Sequence, residues 1–142
     1  MKILVDCHAF DNEEFQGVTS YIKGLYIEMI PKLPNVEFFM VCKSIDNISH
    51  IFNKFSNVTF LKYKSRSPVI RLIYEIPKLV IKNKIDWLHM QYKSPIFKFC
   101  KEIVTIHDIL FVNYPEFFSF KFRLQNKPYY KFSAKRADIL LT

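Results

Sequence analysis

Short apolar runs alternate along this chain with stretches whose apolar residues recur at helical spacing, and that alternation leaves few folds open. Lys2 to Cys7 is apolar after its first residue and is interrupted only by Asp6, which suits a strand buried on both faces. His8 to Gln16 is polar and punctuated, a loop. From Gly17 the period changes: Val18, Ile22, Leu25, Tyr26 and Met29 mark one face of a helix, which Pro31 and Pro34 end. Val36 to Cys42 is a second strand. Ser44 to Phe55 is a helix with Ile48, Ile51, Phe52 and Phe55 inward, and Val58 to Tyr63 is a third strand after a turn at Asn57. Ser67 and Pro68 stand where a cap and a first helical residue belong. Leu72, Ile73, Ile76 and Val80 form that helix's stripe, and Pro77 predicts a kink or break because its ring removes a backbone donor. Asp86 to Gln91 and Glu102 to His107 are the fourth and fifth strands, joined by the Pro95-containing link Tyr92 to Lys101. Asp108 to Ser119 is a loop, Phe120 to Lys135 a helix, and Ala137 to Thr142 the start of a sixth strand.

Strands that alternate with helices predict an α/β fold, a Rossmann-like doubly wound parallel sheet of about six strands in three layers. The length, 142 residues, suits one domain spanning 1–142. Half the residues are hydrophobic and 17% are aromatic, enough for a core and contrary to disorder. Asp138 to Thr142 ends on an apolar strand with no turn or polar segment after it, a pattern expected of one piece of a larger protein.

The net charge of +8 bears on partners. A basic surface attracts phosphorylated substrates, anionic lipid or nucleic acid. The cations are scattered, as in Lys62, Lys64 and Arg66, and a solvated lysine-rich surface explains them equally well. Cys7, Cys42 and Cys100 form no CxxC pair, so free thiols in a reducing compartment are expected and a metal site is not. Asp6 interrupts the first apolar run too early for a signal peptide, and nothing approaches the ~18 apolar residues of a membrane span. The expected location is the cytoplasm, with peripheral contact at the inner face of the membrane left open.

Sheets of this kind bind ligands beyond the carboxyl ends of their strands, where strand order reverses. That rule selects the loops after strands one, four and five. The loop Asp11 to Ser20 runs into a helix, whose free amides bind phosphate. Gly17 lets the backbone approach a ligand closely, so Gly17, Val18 and Thr19 are candidate diphosphate or acceptor contacts. An ordinary strand-to-helix turn is the alternative, since no GxGxxG pattern is present. His107, at the end of strand five, can donate to a sugar hydroxyl or move a proton, and Asp108 can orient it or cap the next turn. A histidine simply bonded to a backbone carbonyl is the competing reading. His8 can line the same cleft, with Asp6 held by loop amides. His89 reads as core. The aromatics from Phe111 to Phe122 read as a packed helix start, with base stacking or a membrane interface as alternatives.

Four segments in order carry a resemblance: Phe15-Gln-Gly-Val-Thr-Ser-Tyr-Ile22, Thr105-Ile-His-Asp-Ile-Leu110, Tyr114-Pro-Glu-Phe-Phe118 and Ala137-Asp-Ile-Leu-Leu-Thr142. The series resembles the amino-terminal domain of family 4 (group 1) glycosyltransferases, which have the GT-B fold. The resemblance implies hexosyl transfer with retention, from a nucleotide-diphosphate sugar to a saccharide or lipid-linked acceptor, without a cofactor or metal. It suggests a setting such as cell-envelope polysaccharide assembly. By the same resemblance Gly17 approaches the donor phosphates, His107 reaches the donor sugar as the catalytic residue, and Asp108 supports that loop. Gln91 and Tyr92 are then acceptor-side residues. The family's carboxy-terminal, nucleotide-binding domain has no counterpart here, so the 142 residues alone are expected to be inactive. Two other readings stay open: half of a sugar-nucleotide epimerase, and a basic non-catalytic domain binding RNA or anionic lipid.

Overall fold

The structure, a computed structural model, describes residues 1–12, 16–65 and 67–142. Glu13, Glu14, Phe15 and Arg66 lie outside the described residues, and with them the middle of the loop after strand one and the first residue of the Phe15–Ile22 segment. The strands are β1 (Lys2–Asp6), β2 (Glu37–Cys42), β3 (Val58–Lys62), β4 (Trp87–Gln91), β5 (Lys101–Thr105) and β6 (Ile139–Leu141). They form one sheet in the order β3-β2-β1-β4-β5-β6, every neighbouring pair parallel. This is the doubly wound, Rossmann-like order, with its switch point between β1 and β4.

Register explains the apolar runs. Val5 lies opposite Met40 on one side and His89 on the other, and α1 (Gln16–Met29) and α2 (Asp46–Phe52) cover that face. Ile22, Tyr26, Ile48 and Phe52 pack there against Ile3, Val5, Phe38 and Met40. Side chains one residue along point the opposite way. Leu4, Phe39, Leu88 and Met90 meet Leu72, Ile76 and Val80 on the second face. A strand covered on both sides has no polar positions to spare, which is why β1 and β2 read as continuous runs.

The second-face helices depart most from expectation. Pro77 does not break its helix. α3 (Pro68–Ile70) passes into a π-helical turn (Arg71–Glu75) and then α4 (Ile76–Asn83), without interruption. The widened turn lies just ahead of the proline, where its ring and missing N–H would otherwise disturb the ladder. Ser67 occupies the cap position, but its side chain makes no capping bond. The expected helix at Ser44–Phe55 is shorter, Asp46–Phe52. The expected loop Asp108–Ser119 contains α5 (Leu110–Asn113) and a 3₁₀ turn, Pro115–Phe117. α6 (Phe120–Arg136) is capped by Ser119, whose Oγ accepts from the Phe122 amide at 3.2 Å, and it runs through Pro128. Among the described residues no helix is long and apolar enough to cross a membrane.

Candidate functional site

The carboxyl ends of β1 and β4 open into a cleft of about 650 Å³, and the loops after β2, β3 and β5 complete its rim. Of the residues singled out in the sequence, His8, Gln91, Tyr92 and Asp108 line it. One wall is aromatic. Tyr92 stacks on Tyr130 with centroids 5.2 Å apart and planes at 28°, and Phe111 meets Tyr130 edge-on at 5.2 Å. Basic and polar residues, among them Lys43, Tyr63, Arg71 and Lys93, also line it.

Tyr92 takes a conformation that bulky residues avoid, with φ of 62°. Its amide still donates to the Thr105 carbonyl at 2.8 Å, so the sheet ladder holds one side. Its hydroxyl donates to Asp108 Oδ2 at 3.3 Å. Burial, then the negative charge of Asp108, push the phenol above its usual range, so it remains a neutral donor. Asp108 Oδ1 accepts the Leu110 amide at 3.3 Å, which starts α5 and fixes the loop.

His107 does not itself line the cleft. It stands half-buried next to the lining residues, Nε2 2.8 Å from Gln91 Oε1, its ring 5.3 Å from Tyr92 and edge-on to Tyr21 at 4.8 Å. Burial lowers its pKa, with Asp108 acting in the opposite direction. A neutral imidazole that donates through Nε2 to Gln91 keeps Nδ1 as an acceptor. The chain of bonds continues inward. Gln91 Nε2 lies 3.4 Å from His89 Nε2, which also lies 2.8 Å from Thr105 Oγ1. His89 Nδ1 lies 2.6 Å from the Tyr26 hydroxyl. Burial, followed by the positive charge His107 would carry, depresses His89 to about 4. With Gln91 facing His107 through its oxygen, its amide nitrogen donates to His89 Nε2, so His89 donates through Nδ1 to Tyr26. His89 is a core residue, as its apolar strand indicated, and it also orients Gln91.

His8 is tied to the strand it follows. Asp6 is fully buried and accepts the His8 amide at 3.2 Å, with its other oxygen 3.1 Å from His8 Nδ1 and 3.5 Å from Arg71 Nη1. Burial alone would raise the Asp6 pKa; the charges of Arg71 and His8 outweigh it and hold the group at about 2.

The helix-start candidates fall elsewhere. Val18 is buried in the core beneath α1, so its side chain offers no ligand contact. Thr19 donates through Oγ1 to the Gln16 carbonyl at 2.8 Å and lines a separate, shallower depression with Lys23, Asn47 and His50. Gly17 is exposed on the first turn of α1 with an ordinary φ, and a Cβ there would meet nothing within 4 Å. The fold therefore does not itself require glycine. Gly17 precedes Tyr21 by one helical turn on the same face, and Tyr21 touches His107, so both candidates share one end of the sheet.

Arg71, Tyr63, Lys93 and Tyr130 were not singled out from the sequence. A signal for Arg71 existed: it is a charge directly beside Leu72, a residue of that helix's apolar stripe. Lys93 and Tyr130 carried none, because their positions follow from the β4–β5 link and the placement of α6. All three cysteines are free. Among the described residues no group of His, Cys, Asp or Glu is placed to hold a metal ion. In comparisons with known proteins, the chain matches no family model and no curated protein.

Proposed function

We propose that this chain is the acceptor-side, Rossmann-like part of a retaining glycosyltransferase that moves a sugar from a nucleotide-diphosphate donor to a saccharide or lipid-linked acceptor. The observation that carries this reading is the cleft at the β1–β4 switch point, lined by aromatic rings together with polar and charged side chains. The C–H faces of a sugar pack on rings such as Tyr92 and Tyr130, exposed Asp108 keeps lone pairs beyond its two bonds for a hydroxyl, and Gln91, bonded to His107 and His89, holds His107 in place. In this reading neutral His107 accepts a hydroxyl proton or hydrogen bond through Nδ1. Leaving of a nucleoside diphosphate builds negative charge, which amides at the start of α1 stabilise from this side. The donor nucleotide is held by a second domain across the cleft.

Exposed aromatics support a membrane-proximal acceptor. Phe117 and Phe120 are 79% and 71% exposed. α6 carries Lys121, Lys127 and Lys131 and no acidic residue. A lipid-linked acceptor presented at an anionic surface suits that pairing of rings and cations.

The test is calorimetric titration of the chain with neutral oligosaccharides and, separately, with single-stranded RNA. The reading expects saccharide binding that Tyr92→Ala reduces at least about ten-fold, as loss of a buried aromatic contact does. Joined to a nucleotide-sugar-binding domain, the protein should transfer, and His107→Ala should lower the rate by about 10²–10⁴. RNA binding that weakens steeply with salt and ignores both substitutions would replace this reading with a nucleic-acid one.

A further inference from the structure

We infer that the cleft contains an oxyanion subsite formed by Arg71 and Lys93, so that its saccharide ligand carries a phosphoryl or carboxylate group. This rests on the glycosyl-acceptor reading and narrows the acceptor's chemistry.

The cleft satisfies its charged groups unequally. Its carboxylates are already engaged. Asp11 accepts the Lys43 amide at 2.7 Å, the Ser44 amide at 2.9 Å and the Tyr63 hydroxyl at 3.0 Å. Asp108 accepts the Leu110 amide and the Tyr92 hydroxyl. The cations are less well satisfied. Arg71 is nine-tenths buried, yet its ion pair with Asp6 is loose at 3.5 Å for a charge-assisted contact. Its Nε has no partner among the described residues. Lys93 lies in no ion pair among the described residues, and its ammonium rests 5.6 Å from the Tyr129 ring. Both side chains line the same cleft.

Two partly desolvated cations in one cleft repel each other. Burial, and then the charge of Arg71, lower the Lys93 pKa, which is the mark of a cation lacking a counter-charge. An anion between them removes the repulsion and satisfies donors left open among the described residues. Lys93 follows Tyr92 directly, so an oxyanion held by Lys93 leaves the sugar ring beside the Tyr92–Tyr130 stack.

The experiment is calorimetric titration of the chain at low salt with glucose, glucose 6-phosphate, glucuronate and inorganic phosphate, repeated with Lys93→Gln and Arg71→Leu. The inference expects at least one anionic sugar to bind about ten-fold or more tightly than glucose, with the better of the two naming the anion. Lys93→Gln should remove most of that difference. Arg71→Leu also strips a partner from Asp6, so Lys93→Gln, which leaves that core pair intact, is the deciding variant. Equal binding of glucose and both anionic sugars, or a preference untouched by Lys93→Gln, overturns the subsite and leaves the acceptor reading standing. Lys93-dependent binding of phosphate, with no sugar exceeding it, keeps the subsite and overturns the acceptor reading.

Discussion

The two sides of the sheet are held by different chemistry. Around β1 and β2, Leu4, Val5, Phe38 and Met40 are completely buried, and α1, α2 and α4 cover them with apolar stripes. Around β5 and β6 the cover is thinner and more polar. Ile139 and Leu140 of β6 are 42% and 45% exposed, and the only side chains that α6 fully buries are Asn126 and Ser133. α6 is instead pinned by specific bonds. Tyr129 donates to the Ser94 carbonyl at 2.8 Å, the Ser94 amide to Ser133 Oγ at 3.0 Å, and Arg136 pairs with buried Glu102 at 2.6 Å while bonding the carbonyls of Pro95 and Ile96. Non-directional packing gives rigidity that tolerates volume-conserving change. Directional bonds position α6, and α6 supplies Tyr130 to the cleft wall. The site therefore sits where the fold changes from one kind of cohesion to the other.

The sharpest way to break this contrast is to remove one anchor from each side. Phe38→Ala should cost about 3–5 kcal/mol through the cavity it leaves. Arg136→Ala should cost a similar amount, about 3–5 kcal/mol, because it strands the Glu102 carboxylate in the interior. The two should part in one respect that urea denaturation with parallel ligand titration detects. Phe38→Ala lowers stability but spares binding in the molecules that remain folded, whereas Arg136→Ala also weakens binding by loosening α6. Relief of the Arg136 loss by a second change, Glu102→Gln, would confirm that an unpaired charge is its cause.

Acid should come next in size. Asp6 has its pKa depressed from 3.8 to about 2, so its contribution is fully present above pH 4 and is lost as the pH falls through 2. That depression corresponds to about 2 kcal/mol. Asp6→Asn should flatten that part of the stability–pH curve, followed by denaturant melts between pH 2 and pH 5. A curve unchanged by the substitution would mean that the buried Asp6–His8–Arg71 cluster does not contribute as its geometry indicates.

Gly17→Ala should have the smallest effect on folding. Its φ is ordinary and the space around a Cβ is open, so replacing a helical glycine should be neutral or should stabilise by at most about 1 kcal/mol. On the proposed glycosyltransferase reading, with the chain joined to a nucleotide-sugar-binding domain, the same change should impair use of the donor if this backbone meets the diphosphate. A variant that folds better and transfers less would separate ligand approach from structure at this position.

The sequence made the first side of the molecule legible because burial on both faces leaves a periodic record. β1, β2 and the α1 stripe at Val18, Ile22 and Tyr26 are where that periodicity put them. It was less informative where placement depends on single polar bonds. The π turn ahead of Pro77, α5 inside an expected loop and the approach of Tyr130 to Tyr92 leave no periodic pattern. At the site, the switch-point rule reached His8 and Asp108, since it follows from topology, whereas Gln91 and Tyr92 were named only through the family resemblance. It did not reach Arg71 or Lys93, which arrive from a helix and a link whose course depends on tertiary packing. It also grouped Val18 and Thr19 with the site by sequence proximity, although a helix turns those side chains toward the core and a second depression.

The most direct measurement is a titration of the isotopically labelled chain with an oligosaccharide, followed by amide resonances. The account predicts shifts concentrated at Gln91, Tyr92, Lys93 and Asp108, at the carboxyl ends of β4 and β5. Shifts gathered instead at Lys2, Asp86 and Lys101, at the opposite end of the sheet, would contradict it, as would saturating ligand that moves none of the cleft amides.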